Sequence, residues 1–421
     1  MTIANRAVGR QRHIPFALLI LIAACSPAAP ANAPAVSTPL PPTPTLTTPI
    51  STPPPVATPG TAATAFSSSS PSILPTVTSE FHADYSSIQS IAFSDAQHGW
   101  LLGMPCGIDN CTVMRATRDG GRTWYAMGNP NFPAAEHANG VRNLRLATDQ
   151  DGWAFGPGLW VTHDAGATWT DQSPQRSDVV DIQVAGGTAW RLDRPGNCPA
   201  SDSTCIYSLS ASSDLGRSWA PLAAQPPIQH ARVAMVRRGA QDAWIHAYGT
   251  HQASNGDMVP FGGQFLVTHD DGASWQERQD PCTFGWYGDG LSVSPDGKKL
   301  WLVCGGQPGA GSQGPKALFT SADDGASWDT TFRTDHSPGY VRGIAAVSED
   351  RAYRGSGRTG GSVLETQDGG QTWQLAFREP QDRDAGIVVL PFADADHGWA
   401  IAVSALWRTD DGGSHWERIV P

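Results

Sequence analysis

The ten residues "THDDGASWQE" at positions 268–277 crowd a threonine, two aspartates, a glycine, a serine and a tryptophan together, as a ligand-binding loop would. Six sibling stretches decide otherwise: "TRDGGRTW" (117–124), "THDAGATW" (162–169), "SSDLGRSW" (212–219), "SADDGASW" (321–328), "TQDGGQTW" (366–373) and "TDDGGSHW" (409–416). The shared aspartates are Asp119, Asp164, Asp214, Asp270, Asp323, Asp368 and Asp411, spaced 43 to 56 residues apart. A period of that size marks a repeat architecture and suits one four-stranded propeller blade. Thr, Ser and Asp side chains bond nearby backbone groups in tight turns, and Gly supplies a positive φ. The Trp then opens the next strand and buries a large ring.

A second recurrence sets the register. Upstream of each turn an aromatic follows a short polar stretch: Trp100, Trp153, Trp190, Trp244, Trp301, Tyr353 and Trp399. Each repeat thus reads as first strand, polar turn, aromatic-bearing second strand, variable loop, third strand, aspartate turn and fourth strand. Seven such blades fill residues 86 to 420, and the expected fold is an all-β, seven-bladed β-propeller. The 45 Gly, 34 Pro and 16 Trp among 421 residues agree with strands and turns rather than long helices. Trp160 and Trp407 fall on third strands, as blade packing. His415 stands where Thr or Ser is usual and is expected to weaken the last turn.

The chain before the repeats has a different character. Arg6, Arg10 and Arg12 precede the apolar run "IPFALLILIAA", and small residues lead into Cys25. This is the layout of an export signal over residues 1–24. Residues 26 to 80 hold 14 of the 34 prolines and one charged residue, Glu80, so they cannot build a core. As polyproline II such a stretch reaches up to roughly 170 Å, a tether for the domain at 81–421. Without residues 1–24 there remain 25 basic and 39 acidic side chains, a balance of −14 that argues against a nucleic-acid partner.

Two resemblances follow from these motifs. "IAAC" at 22–25 resembles the lipobox of bacterial lipoproteins, which implies a lipidated Cys25 and an extracytoplasmic, membrane-anchored protein. Two acyl chains there would supply the double signal that stable anchoring needs. The pattern [ST]-x-D-x-G-x-[TS]-W resembles the Asp box of sialidase-type repeats, which joins the third and fourth strands of a blade. Combined with the "HGW" turn, it is most similar to the propeller family of the photosystem II stability and assembly factor. That likeness implies a scaffold that binds partner proteins; no residue of the family's basic binding patch is matched here. The alternative is a sialidase-like or xyloglucanase-like glycoside hydrolase. Sialidases carry an "RIP" motif and six blades, and neither is found here. No spacing singles out a catalytic carboxylate pair, so no catalytic residue is assigned.

Strand direction separates two faces. First-to-second turns and aspartate turns share one; second-to-third and fourth-to-first connections share the other, where all the long loops fall. Variable loops on a rigid scaffold are where function usually lives, and the expected partner there is a protein or a cell-surface glycan. Cysteines cluster on the same face. In an exported protein six beyond Cys25 suggest disulfides, and loop assignment pairs Cys106 with Cys111, Cys198 with Cys205, and Cys282 with Cys304. Arg142, Arg232 and Arg342 lie eleven or twelve residues before the second-strand aromatics of alternate blades. They are expected to ring the channel mouth and to clamp a carboxylate or sulfate by bidentate hydrogen bonds. Trp286, Tyr340, Arg354 and Arg358 are placed on nearby loops. "TDQDG" and "DADHG" lack the ligand series that a calcium loop completes with Glu at position twelve. No metal or cofactor is expected.

Overall fold

In the computed structural model of the chain, each repeat folds as four antiparallel strands hydrogen-bonded in sequence order. The structure describes residues 87–104, 112–127, 132–133, 140–196, 198, 206–228, 232–252, 258–260, 263–282, 286–306, 314–337, 340–357, 361–378, 388–389, 392–402 and 405–419. Blade 1 is built from Ser87–Phe93, Gly99–Met104, Val113–Thr117 and Tyr125–Ala126, and blade 2 from Asn143–Leu146, Gly152–Phe155, Leu159–Thr162 and Thr170–Asp171. Blade 3 follows with Ser177–Ala185, Thr188–Pro195, Ser208–Ser212 and Ala220–Pro221, and blade 4 with Arg232–Arg238, Asp242–Tyr248, Gln264–Thr268 and Gln276–Arg278. Blade 5 has Trp286–Val293, Leu300–Gly306, Gly314–Ser321 and Asp329–Ser337; blade 6 has Tyr340–Ala346, Ala352–Gly357, Ser362–Thr366 and Gln374–Arg378. Val388–Val389, Gly398–Ala402, Ala405–Thr409 and Glu417–Ile419 make blade 7. A short extra hairpin, Thr250–Gln252 with Met258–Pro260, rises from the second-to-third connection of blade 4.

Burial tracks position in the blade. First strands alternate, with Leu144 and Leu146 buried and Asn143 and Arg145 partly exposed, the period-2 sign of a strand with two unlike faces. Second strands are buried on both faces, as in Gly152–Phe155, because a neighbouring blade covers each side. Fourth strands are exposed outer edges and in blades 1 to 3 only two residues long, which limits edge-to-edge pairing. The apolar core is divided into seams. Trp190 and Leu192 of blade 3 pack with Met235 and Ile245 of blade 4, and Trp153 and Phe155 of blade 2 pack with Val179 and Ile182 of blade 3.

The aspartate turns explain the recurrent motif atom by atom. In blade 4, Thr268 Oγ1 donates to Asp270 Oδ1 at 2.7 Å and accepts from Gly272 N at 3.1 Å. Asp270 then accepts from Ser274 N at 2.9 Å and Ser274 Oγ at 2.6 Å. The turn leans on the first-to-second turn of its own blade, through Asp271 N to Gln241 O at 3.0 Å. Both kinds of turn therefore share one face, as the strand directions require. The residue before the motif glycine is also left-handed in every copy, including Ala165, Leu215, Asp271 and Asp324, so the motif needs two successive positive φ values where one was expected. His415 does not weaken its turn: its backbone N–H and its Nδ1 meet Asp411 Oδ1 and Oδ2, replacing the amide and hydroxyl of a Thr or Ser.

Several of the turns also cap the preceding blade. A Cβ on Gly216 of blade 3 would lie 2.4 Å from Trp153 Nε1 of blade 2, and one on Gly413 of blade 7 would lie 2.1 Å from the Tyr353 hydroxyl of blade 6. In these seams, and likewise at Gly272 over Trp190 and Gly370 beside Trp301, the second-strand aromatic of one blade sits beneath the turn glycine of the next. At the ring closure Trp399, Ile401 and Leu406 of blade 7 pack with Ile88, Leu101 and Trp124 of blade 1. Among the described residues each blade takes its four strands from one contiguous stretch, and the junction is held by side-chain packing and hydrogen bonds.

Candidate functional site

The connections opposite the aspartate turns form the loop face. Its described parts are tied together at the backbone: Gly158 N bonds Gly140 O at 2.8 Å, Val179 N bonds Pro157 O at 2.8 Å, and Gly196 N bonds Arg176 O at 2.9 Å. First strands begin at this face and stand against one another: Leu144 N of blade 2 bonds Ser90 Oγ of blade 1, and Ala346 N of blade 6 bonds Ser292 Oγ of blade 5.

The three expected rim arginines lie near the starts of first strands in alternate blades, but at three different registers against the second strand. Arg142 immediately precedes the first strand of blade 2, is exposed, and bonds Phe155 O through its N–H at 2.8 Å. Arg232 opens the first strand of blade 4, opposite Tyr248, and is exposed. Arg342 is the third residue of the first strand of blade 6, opposite Gly355. The side chains of Arg342, Tyr340 and Trp286 lie outside those described, as does all of Arg358.

Three placements differ from expectation. Trp286 and Tyr340 begin first strands instead of lying on loops. Arg354 lies in the second strand of blade 6, next to Tyr353, and strand alternation turns it to the opposite sheet face. It is 8 % exposed, with its guanidinium carbon 4.8 Å from the Trp373 ring centre and 5.0 Å from that of Phe332 in blade 5. Burial pulls its pKa down to about 10, which still leaves it charged at neutral pH. Arg354 is thus a seam residue, not a rim residue. Arg237 repeats the arrangement between blades 3 and 4, 4.0 Å over the Trp190 ring with Asp271 at 3.0 Å.

The structure adds charged groups that the sequence alone did not single out. Arg194 NH2 bonds Asp178 Oδ2 at 2.6 Å, joining the start of the first strand of blade 3 to the end of its second at the loop face. Deeper along the first strands, Arg145 of blade 2 bonds Ile182 O at 2.7 Å and reaches Asp181 Oδ1 of blade 3 at 3.4 Å. Asp181 also accepts from Gln183 Nε2 at 2.9 Å. Burial raises its pKa, opposed by the Arg145 charge. The available signal was two aspartates interrupting the strand "SDVVDIQVA", which carries three valines and an isoleucine.

The cysteines belong with the loop connections, and the calcium-like sequences lie in first-to-second turns on the opposite face. Cys282 and Cys304 form a disulfide with Cα atoms 5.6 Å apart. Cys198 is disulfide-bonded; Cys205, Cys106 and Cys111 lie outside the described residues. The two calcium-like sequences are satisfied internally, with Asp151 accepting from Thr148 Oγ1 and Asp394 from the amides of Asp396 and His397.

No family model matches the chain. It is similar to the photosystem II assembly protein Ycf48 of Thermosynechococcus vestitus, 26% identical over 296 residues that cover 68% of this chain and 71% of that protein. A xyloglucanase of Hypocrea jecorina is 24% identical over 355 residues, covering 73% of this chain but 41% of the enzyme. Among solved structures, YCF48 bound to a D1 peptide shares the fold, with a TM-score of 0.51, 18% identity, and coverage of 78% of this chain and 94% of that one.

Proposed function

We propose that the chain is a membrane-tethered extracytoplasmic scaffold that binds a protein partner through its loop face. The observation that carries this reading is the one-sidedness of the ring. One face is occupied by tight turns whose polar groups are already bonded to each other, and the long connections all emerge on the other. Likeness to an assembly protein across most of both chains supports a protein as the partner, and the peptide-bound relative supports a polypeptide segment as the recognised element. Arg142 and Arg232, exposed near the loop-face ends of first strands, together with Arg342 near the start of the first strand of blade 6, would supply cations that suit acidic side chains or a free C-terminal carboxylate. The tether at 26–80 and a lipidated Cys25 would hold this face at a distance from the membrane.

The test is affinity capture of the lipoprotein from its native membrane, with wild type beside an Arg142→Ala, Arg232→Ala, Arg342→Ala variant. Wild type is expected to retain a membrane protein that the variant loses; equal recovery by both would remove the rim arginines from the reading. A Cys25→Ala variant is expected to leave the membrane fraction.

A glycosidase is the second reading, favoured by the xyloglucanase relative and by Asp181, a carboxyl whose pKa burial raises, as a general acid requires. Release of reducing ends from xyloglucan by wild type, lost in Asp181→Asn, would establish it in place of the scaffold.

A further inference from the structure

Among the described residues, one group of three side chains has the chemistry and spacing of metal ligands. His246 of the second strand of blade 4, Asp280 just beyond the fourth strand of that blade, and Cys282 bring a nitrogen, an oxygen and a sulfur within 4.8 Å of one another. Cys304 of blade 5 is bonded to that sulfur but lies outside the close group, so its own sulfur joins the other donors only by rotating once the disulfide is open. All four residues are buried, His246 completely.

The hydrogen bonding of this cluster is incomplete. His246 Nε2 lies 3.1 Å from Asp280 Oδ1, which also accepts from Cys282 N at 2.9 Å. His246 Nδ1 and Asp280 Oδ2 have no partner among the described residues. Buried polar atoms are nearly always paired, and each exception calls for a cause. Gly263 faces the second of these atoms: a Cβ there would lie 2.0 Å from Asp280 Oδ2, so the carboxylate is accommodated by the missing side chain.

While the disulfide is intact the cluster offers an imidazole and a carboxylate, too few for tight binding. We propose that reduction of the Cys282–Cys304 disulfide converts it into a closed tetrahedral zinc site formed by Cys282 Sγ, Cys304 Sγ, one ring nitrogen of His246 and one carboxylate oxygen of Asp280. A dithiol reductant passes two electrons and two protons to the pair of sulfurs and becomes a disulfide itself. Zinc then displaces the two thiol protons and is held by two thiolates, a neutral imidazole and a carboxylate. Two sulfurs with borderline nitrogen and hard oxygen donors suit zinc over calcium or magnesium, and four protein ligands with no open position make a structural site. The link between the blade 4–5 connection and blade 5 thereby has two mutually exclusive forms, a disulfide or a metal that also takes in His246 of blade 4. No sequence motif announces the second, because its ligands come from two blades.

The experiment uses the full-length protein, reduced anaerobically with dithiothreitol, freed of it by desalting, and titrated with cobalt(II) and then zinc(II). Oxidised wild type and a reduced Cys282→Ser, Cys304→Ser variant serve as controls. Reduced wild type is expected to show a sulfur-to-cobalt charge-transfer band with tetrahedral d–d bands, and to retain one more zinc per chain than the double variant. X-ray absorption at the zinc edge of a variant with the other cysteines replaced by serine is expected to give two sulfurs and two lighter ligands. Equal zinc in reduced wild type and in the double variant, or a shell of sulfur alone or of light atoms alone, would overturn the proposal. Since the zinc-edge reading keeps all four ligands, it does not depend on whether a His246 variant folds.

Discussion

Trp399 of blade 7 donates its indole Nε1 proton to the carbonyl of Gly120 in blade 1 at 3.0 Å, across 279 residues of sequence. Its ring also stacks on Phe93, 3.6 Å between centroids. Among the described residues no strand is shared across this junction, so the pair carries part of the closure. Trp301 occupies the same position in blade 5, but its Nε1 has no partner among the described residues. Trp399→Phe is therefore expected to cost about 0.5–1.5 kcal/mol more than Trp301→Phe, the net value of one hydrogen bond. Equilibrium urea unfolding measures the difference; equal costs would show that closure does not depend on this bond.

The paired left-handed residues give a prediction with opposite signs at adjacent positions. Gly216 has φ 85° and no room for a Cβ beneath Trp153, so Gly216→Ala is expected to lower stability by more than about 1 kcal/mol. Ala165 has φ 57°. Relief of its left-handed strain is worth about 1–2 kcal/mol, against about 0.5–1 kcal/mol for the added freedom of a glycine in the unfolded chain. Ala165→Gly is expected to raise the unfolding midpoint or leave it unchanged, and a clear loss would count against the turn geometry.

These turns also mark how far the sequence could be read. The motif announces itself because aspartate, hydroxyl, glycine and tryptophan are each required by a bond or a packing contact, and seven copies fix the blade count. Ala165, Leu215, Asp271 and Asp324 carry no such mark, since left-handed strain there is tolerated rather than selected by residue type. Rim and seam were harder to separate. An arginine beside a strand aromatic faces the channel or a neighbouring blade according to alternation and ring geometry, and Arg354 was misplaced for that reason. The Arg145–Asp181 pair joins two blades 36 residues apart, and only the closed ring brings them together.

Acid should loosen the turns. The Ser274 hydroxyl, followed by the Thr268 hydroxyl and the Ser274 amide, holds the Asp270 carboxyl at about 2, and Asp214 and Asp368 are held at about 2 in the same way. An unfolded aspartate titrates near about 3.9. Because the folded-state value is the lower one, these groups stabilise the fold above about pH 4, and that contribution is lost as pH falls from about 4 towards about 2. In Asp270→Asn the carboxylate is gone, and the unfolding temperature is expected to be lower at neutral pH and to fall less steeply across this window. Parallel curves for the two proteins would remove Asp270 from the acid response.

The division between rim and seam can be tested by asking each arginine to fail in its own way. Arg354 stacks between Phe332 and Trp373, so its alkyl stem and planar head both fill the boundary of blades 5 and 6. Removing that volume by Arg354→Ala leaves a cavity in the seam and is expected to cost about 2–4 kcal/mol. Arg354→Met keeps most of the volume. It gives up a cation–π contact worth up to about 2 kcal/mol but also removes a charge that burial disfavours, so a stability within about 1 kcal/mol of wild type is expected. Arg142 is exposed at the loop face, where its replacement by alanine should change stability by less than about 0.5 kcal/mol. Partner capture should follow the reverse order, undiminished in Arg354→Met and weakened in Arg142→Ala. Loss of capture in a stable Arg354→Met variant would move that residue from the seam to the binding face.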